Sequence, residues 1–279
     1  MKRKVKTKVK GFRTTDGAGV KLVRVLGNLT TKEFDPILML DSFDSINPDD
    51  YTAGFPMHPH RGIETISYVS RGKMVHRDSL GNEAGISDGE VQWMNSGSGI
   101  MHEEMVPAAE RLLGVQLWLN LPAKDKMSKP SYNSIKNEDI KEIEIEGGKI
   151  RLLAGKYREH EGYKGDYLSM DYYDIHLNAD AEVTLTMEED DSVMVFTLLG
   201  DVYIDGEHIE EKTAVKLTEG DSLTIKNGNE KAQVLYMNSR ALNEPVAWAG
   251  PIVMNTQEEL QKAFLELRSN TFIKETAEY

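Results

Sequence analysis

The chain has 279 residues, a formal net charge of −13 and 39% hydrophobic residues, a globular composition long enough for two domains of about 100–150 residues each. It holds 7 histidines and no cysteine, which excludes disulfides, zinc–thiolate sites and thiol nucleophiles, so any redox chemistry must use a metal or another cofactor. Lys and Arg number 19 against 18 Asp and Glu in residues 1–140, and 14 against 28 thereafter, so the acidic second half disfavours direct nucleic-acid binding.

In chain order, the basic opening MKRKVKTKVKGF is followed by no apolar run of secretory-leader length. Its lysines alternate with Val5 and Val9, the pattern of a solvated edge strand rather than of a nucleic-acid arm. Short strands follow at VKLVRVL (20–26), ILMLDSF (37–43), ETISYVS (64–70), GKMVHRDS (72–79) and VQLWLNL (115–121). A second series comprises AEVTLTM (181–187), VMVFTLL (193–199) and DSLTIKN (221–227), with Gly81-Asn82, Asp88-Gly89, Asp205-Gly206 and Asn227-Gly228 as turn signals. The longest apolar runs fall far short of the roughly 20 residues that span a bilayer, so a soluble cytoplasmic protein with no membrane partner is expected. Only NTQEELQKAFLELRSN reads as a helix, with Thr256 three residues before Glu259 as a capping box and Leu260, Phe264 and Leu267 on one face.

Many evenly spaced strands imply an all-β sandwich or barrel. SDGEVQWMNSGSGIMH (87–102) also aligns by eye with TEGDSLTIKNGNEKAQ (218–233), which pairs His102 with Gln233 and suggests two similar barrels, the second lacking the histidines. The expected division is residues 1–135, an N-terminal metal-binding domain, and residues 136–279, a degenerate second domain ending in the helix.

Two stretches carry chemistry. In FPMHPHRG (55–62), side chains two apart in an extended chain share a face, so His58 and His60 present both imidazoles to one side. Pro59 between them lacks a donor and confines the segment to a sheet edge, a strand end or an irregular stretch. In GIMHEEM (99–105), His102 and Glu104 form a second dyad of the same spacing, with Glu103 out of phase. Facing dyads in a barrel supply three nitrogens and one carboxylate, a set suited to one iron, manganese, nickel, copper or zinc ion rather than to calcium or magnesium. His160, His176 and His208 read as surface residues. His76 reads as a core histidine or as a partner of a ligand, and Glu64 as an alternative ligand, a hydrogen-bond acceptor behind the ligands, or a solvent-facing strand residue. Phe55, Met57, Trp93 and Met101 neighbour the dyads as candidate apolar walls or ordinary core.

GFPMHPHRGIETISYV, MVHRDSLG, GEVQWMNSGSGIMHEEM, GVQLWLNLPAKDKM and GPIVMNTQEELQKAF together resemble the successive signature segments of the pirin family in the cupin superfamily. The resemblance implies a bicupin, two jelly-roll β-barrels with a C-terminal helix. It implies one metal, usually iron and hence Fe2+, in the N-terminal barrel on His58, His60, His102 and Glu104. The broader cupin pattern would place a glutamate ligand at Glu64 instead. It further implies either a quercetin 2,3-dioxygenase, which opens a flavonol ring with O2 and releases carbon monoxide, or a metal-sensing regulator acting through a protein partner. For the enzyme, Glu104 is the expected base toward a flavonol hydroxyl.

Overall fold

The computed structural model describes residues 1–275; the last four positions of the domain expected at 136–279 lie outside the described residues. The chain forms two compact units, each a seven-stranded sheet facing a four-stranded one. This is the all-β, two-barrel architecture expected from the strand pattern.

In one unit the large sheet runs, in spatial order, Ser131–Ile135, Glu90–Asn95, Ile63–Arg71, Leu112–Asn120, Ile37–Ser45, Val20–Leu26 and Phe12–Asp16. Its small sheet runs Phe55–His60, Ile100–Met105, Lys73–Asp78 and Glu83–Ser87. Phe55–His60 is therefore an edge strand, the place a chain with Pro56 and Pro59 can occupy without losing a ladder bond. The helix Gln257–Arg268 belongs to this unit. Its capping box is present in full: Glu259 N–H donates to Thr256 Oγ1 at 3.2 Å, and Thr256 N–H to Glu259 Oε2 at 3.0 Å. Leu260 and Ala263 are buried, with Phe264 and Leu267 partly so, against Ala247, Ile252, Met254 and Phe272.

In the other unit the large sheet runs Val5–Lys10, Thr213–Leu217, Ser192–Leu199, Ala232–Ser239, Met170–Leu177, Gly148–Ala154 and Lys141–Ile145. The small one runs Glu182–Thr186, Ser222–Asn227, Val202–Ile204 and Glu207–Ile209. Asp205 and Gly206, at φ 51° and 80°, make the tight hairpin between its last two strands, where a left-handed pair suits the strand twist. The core is apolar, built on residues such as Val183, Leu185, Val195, Leu223 and Ile225.

The division at 135 and 136 needs correction at both chain ends. The first unit comprises Arg13–Thr31, Ile37–Lys136 and the chain from Leu242 onward, the second Met1–Phe12, Lys32–Pro36 and Asn137–Ala241. Strand order gives the reason. Val5–Lys10 fills in the second unit the edge place that Ser131–Ile135 fills in the first, and the alternating burial expected for a solvated edge is observed.

The repeat is real, but the alignment by eye is one strand out of step. By sheet order Ile100–Met105 corresponds to Ser222–Asn227, and Phe55–His60 to Glu182–Thr186. The counterparts of the histidine-bearing strands turn Val183, Leu185, Leu223 and Ile225 inward and leave Thr184 and Thr224 outside. Gln233 lies on a strand of the other sheet, so it is not the counterpart of His102.

Candidate metal centre

Strand phase places the ligand candidates. On Ile100–Met105, Ile100, His102 and Glu104 are buried while Met101, Glu103 and Met105 turn outward. Glu103 pairs there with Arg77 at 3.6 Å, as its odd position requires. His102 lies directly opposite His58 on the edge strand, and on its other side opposite Asp78, with Glu104 opposite His76. Coordinating nitrogens of His58, His60 and His102 all lie within 4.8 Å of one another.

Backbone carbonyls orient two of these rings. His58 Nδ1 bonds to the Pro56 carbonyl at 2.8 Å and His60 Nδ1 to the Pro251 carbonyl at 3.0 Å. A carbonyl can only accept, so each Nδ1 carries the proton and each Nε2 presents a lone pair. Those two Nε2 atoms stand 3.1 Å apart, and His102 Nε2 is buried without a hydrogen-bond partner among the described residues. Burial, and next the neighbouring His58, pushes His60 down to about 3; burial, then His60, His58 and His76, holds His102 well below the ordinary histidine range. Imidazole lone pairs gathered at one point repel one another unless something electron-poor lies between them. A transition-metal cation meets that requirement, so the three-nitrogen set fits one.

The Pro251 carbonyl reaches His60 because the chain passes close to Gly62. A Cβ at Gly62 would lie 2.0 Å from the Val253 carbonyl, and Val253 N–H donates to the Arg61 carbonyl at 3.1 Å. Arg61, only 2% exposed, then binds the Ser98 and Phe272 carbonyls and Glu266. The Arg61-Gly62 pair that follows the dyad is thus the anchorage of the C-terminal segment.

Glu104 is buried beside this cluster but is not one of the three converging groups. Its carboxylate accepts from Gln116 Nε2 at 2.8 Å and from Gln92 Nε2, both on the facing sheet. Glu64 is buried as well and accepts from the Trp93 indole at 3.0 Å, which removes the solvent-facing reading. His76 is fully buried, bonded to Asp78 and stacked on Tyr132 with ring centroids 4.1 Å apart. His160, His176 and His208 are half-buried or exposed and pair with Glu159, Asp174 and Asp201.

A cavity of about 570 Å³ opens onto His58 and His60. Phe55, Met39, Trp118 and Trp248 give it apolar walls, while Asp16, Arg24, Asp41 and Gln116 add polar groups. Arg24 grips Asp41 with two bonds of 2.9 and 2.7 Å and reaches Asp16 at 2.6 Å. The Trp118 indole N–H is buried without a partner among the described residues. Of the apolar residues near the dyads in sequence, Phe55 alone lines this cavity; Met57 is exposed and Trp93 is occupied with Glu64. Trp118, Trp248, Gln92 and Gln116 were missed because they lie on other strands, which only the folded sheets bring to the dyads. The one local signal was the two-residue spacing of Gln116 and Trp118 within a predicted strand.

Two family models match the chain: Pirin over residues 19–119 and the Pirin C-terminal cupin domain over residues 172–273. The chain is 39% identical over 268 residues to a Pseudomonas aeruginosa protein named "Putative quercetin 2,3-dioxygenase", covering 92% of this chain and 94% of that one. It is 35% identical over 277 residues to human pirin, covering 96% and 93%. Among solved structures, a quercetin 2,3-dioxygenase from Acinetobacter baumannii superposes with a TM-score of 0.89 at 30% identity, covering 98% and 99%.

Proposed function

Because this chain belongs to the pirin family, we propose that it is a metal-dependent dioxygenase that cleaves flavonols such as quercetin, with His58, His60, His102 and Glu104 holding one ion, iron first among the candidates. The observation that carries the reading is the convergence of three imidazole nitrogens, with His60 and His102 buried and His58 half-buried, beside an aromatic-walled cavity. A bound iron would supply Lewis acidity toward substrate oxygens and the electron-transfer capacity that dioxygen chemistry needs.

The protein groups have separable tasks. Phe55, Trp118 and Trp248 offer flat apolar faces to an aromatic substrate and exclude water from it. The unpartnered Trp118 N–H is a donor that a substrate oxygen would satisfy, removing the cost of a buried orphan. Glu104, whose carboxylate is held as an acceptor by Gln92 and Gln116, is the base that takes the proton from the flavonol hydroxyl. Ring opening then consumes O2 and releases carbon monoxide.

The test is metal analysis of anaerobically purified protein, followed by oxygen uptake and carbon monoxide detection across a flavonol panel. Stoichiometric oxygen consumption with carbon monoxide release supports the reading. Fully loaded protein that consumes no oxygen with any flavonol, while its metal cycles reversibly and alters binding of a protein partner, would replace the enzyme with the regulator.

A further inference from the structure

His102 differs from the other two histidines in what lies behind it. Its Nδ1 faces no carbonyl but the Nδ1 of His76, 3.4 Å away, and His76 in turn places Nε2 2.8 Å from Asp78 Oδ2. All three side chains are buried, and the stacked Tyr132 ring, inclined by 15°, holds the His76 plane.

The direction of this chain of bonds follows from Asp78. Its Oδ1 already accepts from Leu80 N–H at 2.9 Å and Asn82 N–H at 3.1 Å, and its Oδ2 from the Asn82 amide at 2.9 Å. A carboxylate receiving three donors is an acceptor toward the fourth group as well. His76 Nε2 therefore donates, His76 Nδ1 is left with a lone pair, and His102 Nδ1 donates to it. The remaining nitrogen of His102, the partnerless Nε2, then presents its lone pair toward His58 and His60.

We propose that His76, held by Asp78, is a positioning residue that fixes the tautomer and ring orientation of His102 for metal binding. The proposal rests on the reading of His58, His60 and His102 as a metal site. Without an acceptor behind it, His102 gains nothing from keeping its proton on Nδ1. The tautomer with the proton on Nε2, which cannot coordinate, becomes competitive.

The experiment measures Ni2+ affinity by calorimetry and the visible spectrum of the Co2+-loaded protein for the full chain and for H76F, H76Q, D78N and H58A. H76F removes the acceptor and is expected to weaken Ni2+ binding about 10- to 100-fold and to shift the Co2+ bands. H76Q restores an acceptor toward His102 and a donor toward Asp78, so affinity should return to within about threefold of the parent. D78N sets an amide N–H against His76, reversing its tautomer, and should resemble H76F even where H76F folds poorly. H58A should lose the metal whatever His76 does. Unchanged affinity and spectrum in folded H76F and D78N, with the metal lost in H58A, overturns the positioning role and leaves the metal site standing. Absence of Ni2+ from the parent protein overturns both.

Discussion

The imidazole of His60 donates from Nδ1 to the carbonyl of Pro251, 3.0 Å away and 191 positions later in the chain. The C-terminal segment is thereby part of the candidate metal centre, and its helix is fastened to the same place through Arg61, Phe272 and Glu266. A chain truncated after Asn255 leaves the buried Arg61 guanidinium without those two partners, at a cost of about 3 kcal/mol or more. Thermal denaturation should show a clearly lower Tm, with weaker Ni2+ binding as the support behind Pro251 loosens. Unchanged melting together with an altered size in solution would instead make the helix a contact between copies of the chain.

Single alanine substitutions separate the phases of the second dyad. H58A, H60A and H102A should each leave metal content, by elemental analysis, far below the one ion per chain expected of the parent protein. E103A should keep it, since Glu103 faces outward and pairs with Arg77, a partly exposed ion pair worth about 0–1 kcal/mol. Equal loss in H102A and E103A would refute the strand phase. An ion retained in H102A and traced to the second barrel would contradict the apolar lining of Val183, Leu185, Leu223 and Ile225.

Glu104 is tested by E104Q, which keeps the side chain's shape and removes its charge. Its neighbours Gln92 and Gln116 both point amide donors at it, so the substituted amide meets donors where the carboxylate met partners. Turnover with quercetin should fall by about 10² or more if Glu104 is the base. Metal content is measured on the same sample, because a lost ion would lower turnover without touching proton transfer.

Lys126 gives a pH prediction outside the proposed chemistry. It is 2% exposed and donates to the Gly62 carbonyl at 2.8 Å and to Asn120 Oδ1 at 2.6 Å. Burial pulls it down to about 7, against the opposing pull of Glu244 and Glu259. The unfolded chain therefore holds this proton between about pH 7 and 10.5 while the folded chain has released it, so stability from this group rises with pH across that window. Comparing K126M with the parent by urea denaturation, the gap should widen from neutrality to about pH 9.5. A gap that stays constant means that Lys126 keeps its proton in the folded state.

The strands named above, the helix with its capping box and the inward phase of His58, His60, His102 and Glu104 were legible in the sequence, and the prolines narrowed their segment to an edge, a strand end or an irregular stretch. Each depends on a spacing of two to four residues, and such spacings translate directly into the face of a strand or a turn of helix. Other features depended on pairing between distant segments. Val5–Lys10 completes the second unit, while the helix and Pro251 belong to the first. Gln92 and Gln116 hold Glu104, Trp118 and Trp248 wall the cavity, and the counterpart of His102 lies on Ser222–Asn227 rather than at Gln233. Local periodicity says which way a side chain faces along its own strand. Which strand lies opposite is set by burial and hydrogen-bond completion over the whole sheet, and those are satisfied only once the chain has folded.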